Sequence, residues 1–149
     1  MRDFQRLLFC TDFSENAGFA FDYAAGLAAR SPGCELRVLH VLPEPAAQFW
    51  RGYINADEHI DERTRAEIDA HLEAYRSRAP AGLEFQAVAR FGKPGEEILD
   101  YAKSAGVDLI LLGRKGHGSL FFGDTAAHVT RRAECPVLVV PADFMKNFP

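Results

Sequence analysis

Residues 107–125 read VDLILLGRKGHGSLFFGDT: a near-continuous apolar run of strand length, a glycine-rich basic loop, and the start of a helical pattern. A strand apolar at nearly every position is one covered on both faces. Strands of that kind belong to parallel sheets flanked by helices, so this stretch sets the class against which the remaining chain is read.

The same alternation runs through the whole sequence. RLLFCT (6–11), ELRVLHVL (35–42), LEFQAVARF (83–91), DLILLG (108–113) and PVLVVP (136–141) are strand candidates. LEFQAVARF alternates apolar and polar residues, which places it at a sheet edge. Ser14 is the expected N-cap of a helix over 15–30, ended by SPG, with Phe19, Tyr23, Ala24 and Leu27 as the stripe toward the sheet. Residues 56–79 set Ile60, Ile68, Leu72 and Tyr75 at helical spacing. A third helix opens at Pro94, which suits a first turn, and a fourth spans 124–133. The long irregular stretch PEPAAQFWRGYIN (43–55) carries Phe49, Trp50 and Tyr53, read as padding over the sheet. The expectation is one α/β domain over residues 1–149.

With 149 residues, 48% of them hydrophobic, the chain is long enough for a sizeable core. A formal charge of −4, with both signs interspersed, favours neither nucleic acid nor an anionic membrane as partner. The apolar run near Met1 is too short for a secretory segment, so a cytoplasmic protein is expected. Cys10, Cys34 and Cys135 form no CxxC pair and read as reduced thiols. DEHIDE (57–62) is a solvated face rather than a metal site, and no metal is expected.

In open parallel sheets, ligands bind outside the carboxyl ends of the strands where strand order reverses. The relevant ends carry TDFS, HVLPE and GRKGHGS. If the first and fourth strands are neighbours, Asp12 faces the glycine loop. Asp12 can also cap the turn into the first helix. His40, at the end of its strand, reads as a packed residue.

LLFCTDFSENA (7–17), LRVLHVL (36–42), the GRKG turn (113–116) and GDTAAHVTRRAECPVLVVP (123–141) together resemble the universal stress protein family. The resemblance covers essentially the whole chain and is most specific in its carboxyl-terminal block. It implies a five-stranded parallel sheet of order 3-2-1-4-5 with helices on both faces, and a homodimer formed through the C-terminal edge strand. It also implies an adenine-nucleotide site, with Thr11, Asp12 and the backbone of Val41 bordering adenine and ribose.

ATP-binding members of that family carry glycine, two residues, glycine, nine residues, then glycine and a Ser or Thr. Gly113 and Gly116 fit, but only the six residues HGSLFF precede Gly123, and Asp124 stands where the hydroxyl belongs. Glycines let backbone amides approach phosphate, and a helix N-terminus adds positive potential. An aspartate offers only acceptors and a charge of the wrong sign. Thr125, one residue later, is an imperfect substitute, and the bland reading makes Asp124 the N-cap of the last helix. Arg114, Lys115 and His117 in the loop, with Arg131 and Arg132 further on, are candidate anion-holding groups. ATP, AMP or a small anion is therefore the expected ligand, with ATP held weakly or not at all.

No GxxxxGK[ST], GxSxG or first-strand GxGxxG is present, which removes support for P-loop NTPases, α/β-hydrolases and dinucleotide enzymes. No general base stands out, so no catalytic residue is assigned and at most slow ATP hydrolysis is expected. The reading is a regulatory domain with a degenerate nucleotide site. Its alternatives are a fully competent ATP-binding stress protein with slow hydrolysis, or an interaction protein that has lost nucleotide and serves an unknown protein client.

Overall fold

The computed structural model describes residues 4–42, 62–114, 123–141 and Phe144, and at 124 the backbone alone. The strands are β1 (Arg6–Thr11), β2 (Glu35–Leu42), β3 (Phe85–Phe91), β4 (Leu109–Arg114) and β5 (Val137–Pro141). The helices among these residues are α1 (Glu15–Ala29), α2 (Glu62–Arg78), α3 (Pro94–Ser104) and α4 (Gly123–Arg132). All strand pairs are parallel, and the sheet order is β3-β2-β1-β4-β5. The alternating strand is an edge, as its pattern implied.

Two cores sit on the two faces of the sheet. Leu7, Phe9, Leu36, Val38, Leu109 and Leu111 point toward α1 and α2. Leu8, Cys10, Leu39, Val41, Ile110 and Leu112 point toward α3 and α4. Period-two alternation along strands that are apolar on both faces produces this division.

The boundaries differ from the sequence reading by one or two residues. β3 starts at Phe85 because Leu83 N–H bonds to Pro80 O in a turn. β4 starts after Asp108, whose carboxylate accepts the Gln5 and Arg6 amides and so ties the amino ends of β1 and β4 together. Residues 43–61 lie outside the described residues. Phe49, Trp50, Tyr53, Ile60 and most of DEHIDE fall there.

The stripe assigned to α1 needs correction. Ala17, Ala20, Phe21, Ala24, Ala25 and Ala28 are its buried apolar positions, whereas Phe19, Tyr23 and Leu27 are half-buried flanks. Small residues let the helix axis come close to the sheet. Space for large rings is already taken by Phe9, Phe21 and Tyr75, whose rings form edge contacts and one stack at 4.4 Å.

Candidate nucleotide crevice

β1 and β4 are neighbours, with Cys10 opposite Leu112. One step further along, Thr11 is level with Gly113 at the carboxyl edge, where chain connections depart to opposite faces. α1 follows β1 on one face, and α4 follows β4 on the other. That is the reversal point at which an open sheet forms a crevice.

The turn leaving β1 is organised by its own side chains. Thr11 is 1% exposed, and its Oγ1 accepts from Phe13 N–H at 2.9 Å and shares a hydrogen bond with Tyr75 Oη at 2.7 Å. Burial, the largest effect, pushes the Tyr75 hydroxyl up to about 12. Asp12 Oδ1 accepts from Ser14 N–H at 2.9 Å, so the turn-capping role foreseen for Asp12 engages one of its two oxygens. Ser14 caps α1 by accepting from Ala17 N–H. Phe13 takes φ 61°, a left-handed backbone uncommon for any residue with a large side chain. Its ring lies 4.5 Å from that of His40 and is stacked 4.7 Å from that of His71. His40 donates from Nδ1 to the Thr11 carbonyl at 2.9 Å, and burial holds its imidazole below the usual histidine value. The packed reading of His40 therefore stands.

Val41 sends its side chain into the α3–α4 core and leaves only backbone near the edge. Gly113 lies beneath α1, where an added Cβ would make ordinary contacts of 3.6–3.9 Å with Ala20, Asn16 and Val140. Its φ is not in the left-handed range. Neither packing nor backbone strain among the described residues demands glycine at 113. Gly95 contrasts with it, because a Cβ there would stand 2.5 Å from His128 Cδ2 across the α3–α4 contact. Arg114 ends β4 and is exposed.

α4 begins at Gly123, so Asp124 falls in its first turn rather than at its N-cap, which corrects the bland reading by two residues. Thr125 is buried, at 6% exposure. Arg131 and Arg132 end the helix. Ten residues of helix carry them about 14 Å away from its start. Gly116, Lys115 and His117 lie outside the described residues. Among the described residues no cluster of His, Cys, Asp and Glu suits a metal ion, and no helix is long and apolar enough to cross a membrane.

Neither the Phe13 backbone nor the ring contacts from α2 had a signal in the sequence. His71 reads as one polar residue on an exposed helix face, and a left-handed phenylalanine has no signature when neither Gly nor Asn occupies the position.

A five-stranded parallel sheet of order 3-2-1-4-5, with two described helices on each face and its strand order reversing between β1 and β4, defines an open, doubly wound α/β architecture. Within that class, the model of the universal stress protein family matches residues 3–141, and the chain belongs to that family. Universal stress protein YxiE of Bacillus subtilis is 31% identical, covering 92% of this chain and 99% of its own. Universal stress protein UspA from Lactobacillus plantarum superposes with a TM-score of 0.70 at 28% identity, over 94% of this chain and 99% of its own. A universal stress protein in complex with cAMP has the same fold, with a TM-score of 0.68 at 24% identity over 93% and 98% of the two chains.

Proposed function

We propose that this chain is a regulatory universal stress protein whose carboxyl-edge crevice takes an adenine nucleotide, with a shortened phosphate loop that leaves ATP weakly held. The observation that carries the reading is the meeting of three features at one sheet edge. Asp12 leaves β1 directly after Thr11, Gly113 lies level with Thr11 one residue before the end of β4, and the N-terminus of α4 follows the loop. Gly113 also lacks any packing reason to be glycine, which fits a position where backbone approaches a ligand. Binding of cAMP by a structural relative supports the adenine class of ligand.

The weakness toward ATP follows from chemistry. Asp124 adds negative charge to the first turn of α4, where the helix would otherwise offer its amides to phosphate. Thr125 is buried, which argues against its hydroxyl replacing the missing donor. AMP or a small anion asks less of the loop than a triphosphate does. The same reading makes the protein a homodimer, and any ATP hydrolysis slow and incidental.

Two measurements test it. Purified protein denatured by heat or acid should release adenine nucleotide if the site is occupied as isolated. In calorimetry, Asp124→Ser should tighten ATP binding about ten- to a hundredfold, the worth of one regained hydrogen bond to a charged group. Tight binding of ATP by the unaltered protein, unchanged by Asp124→Ser, would overturn the degenerate-loop reading.

A further inference from the structure

Asp12 is gripped on both sides through one imidazole. On its amino side, His40 Nδ1–H donates to the Thr11 carbonyl at 2.9 Å. A carbonyl only accepts, so Nδ1 carries the proton and, in the neutral ring, Nε2 carries none. On its carboxyl side, the Phe13 ring lies 4.5 Å from His40, with His71 stacked on Phe13 at 4.7 Å and 8°. The unusual φ of Phe13 is what turns that ring toward the pair of histidines. A polar contact and a ring contact from β2 thus fix the residues flanking the carboxylate that leaves β1.

We propose that His40 is a positioning residue for Asp12, and that its protonation draws the Asp12 carboxylate away from a bound ribose, so that nucleoside affinity falls in acid. The proposal rests on the adenine-nucleotide reading of the crevice. The groups facing His40 can be named element by element. The β1–α1 turn supplies Asp12, and α2 supplies His71. Arg65 and Asp69, also of α2, line with His40 a cavity of about 160 Å³, to which β3 contributes only Ala87, Val88 and Ala89. Tyr75, the other α2 group of the cluster, touches Phe13 at 5.7 Å and stays neutral throughout the range.

Burial, the largest influence on His40, favours the neutral ring, and His71 acts in the same direction; the Thr11 carbonyl and Asp12 oppose them. The ring is therefore neutral at pH 7 and takes a proton only below the ordinary histidine range. Protonation does not break the bond to Thr11, since Nδ1 still donates. It does add a positive charge that attracts the Asp12 carboxylate, whose Oδ1 is already committed to Ser14 N–H. The second oxygen is then drawn toward the charged ring and away from a sugar hydroxyl.

Adenosine is the suitable probe, because a nucleotide's phosphate would add its own ionisation near pH 6. Its affinity and the amide signals of Asp12, Phe13 and Ser14 are followed by NMR between pH 7.5 and 5, beside the ring signals of His40. The turn signals should move with the His40 ring, and adenosine affinity should fall about tenfold, one hydrogen bond to a charged group being lost. His40→Gln keeps a donor for the Thr11 carbonyl without a titrating group, and should abolish the shared midpoint. His71→Gln, at an exposed position, should move that midpoint upward. Turn signals that stay still while His40 titrates, or that move alike in His40→Gln, overturn the proposal. So does an adenosine affinity independent of pH. If adenosine binds at no pH, the nucleotide reading fails with the ribose half of the proposal, while the turn signals still decide whether His40 governs Asp12.

Discussion

Glycine carries two different meanings in this chain, and they separate at the residue scale. Gly95 exists for packing, since its missing Cβ is the space His128 occupies where α3 meets α4. Gly113 has room for a methyl group. Gly95→Ala should therefore destabilise the fold by about 1–3 kcal/mol through overpacking. Gly113→Ala should leave stability within about 0.5 kcal/mol, as expected where neither strain nor clash arises, yet weaken nucleotide or anion binding. Chemical denaturation and calorimetry on both variants check this, and a reversed pattern would assign Gly113 to the fold. The turn-capping role of Asp12 was legible in the sequence because an Asx turn is local chemistry, whereas the glycine turn past Arg114 lies outside the described residues. Phe13, His40 and His71 were not legible as a unit, because nothing local connects positions 13, 40 and 71.

Elements were more legible than their faces. β1 and β2 keep the bounds read from sequence, and Pro94 opens α3 with Lys93 as an N-cap lacking any side-chain bond. Strand runs bounded by turn residues are local facts. Which stripe of α1 faces inward is a tertiary fact, and alanines won because rings from β1 and α2 already fill the layer. The attachment of α2 illustrates the same point: Tyr75 reaches Thr11, and Arg78 reaches the Gly18 carbonyl and the Asp22 carboxylate on α1. Tyr75→Phe should cost about 1 kcal/mol. Thr11→Val should cost more, about 2 kcal/mol, because it strands both the Phe13 amide and the Tyr75 hydroxyl. Equal losses in denaturant titrations would contradict that ordering. The pH profile follows from two shifts. Tyr75 is raised to about 12 when folded, so its contribution is complete below the unfolded value of about 10 and is lost as pH climbs from 10 to 12. His40 is depressed, so its contribution is present above about 6.5 and is lost as pH falls through the lower folded value. Thermal melts should show both flanks. Tyr75→Phe should lose only the alkaline one, and His40→Gln only the part of the acid flank due to that ring.

At the scale of the whole molecule, the two edges of the sheet are unequal. β3 carries Arg90, which bonds Asp100 at 2.9 Å and lies 3.7 Å from Glu97, and it exposes Gln86. Charge of this kind discourages a second sheet from pairing there. β5 reads VLVVP, without a charge, and its one brake on pairing is Pro141 at the end. Val137 and Val139 lean toward the α3–α4 core and Leu138 and Val140 toward the α1 side, yet Val137, Leu138 and Val139 are all only half-buried. An apolar, incompletely covered edge strand suits isologous pairing with its own copy across a two-fold axis, which would close the edge and cover the valines together. Light scattering should therefore give the unaltered chain twice the 16.5 kDa of one protomer. Val139→Lys should shift it to one protomer mass, because two lysines would meet near the axis. Val139 also touches the α3–α4 core, so circular dichroism must show the variant folded, and Val137→Lys should repeat the result from the neighbouring position. A folded dimer that persists in both variants, or an unaltered chain that is monomeric, would remove β5 as the interface.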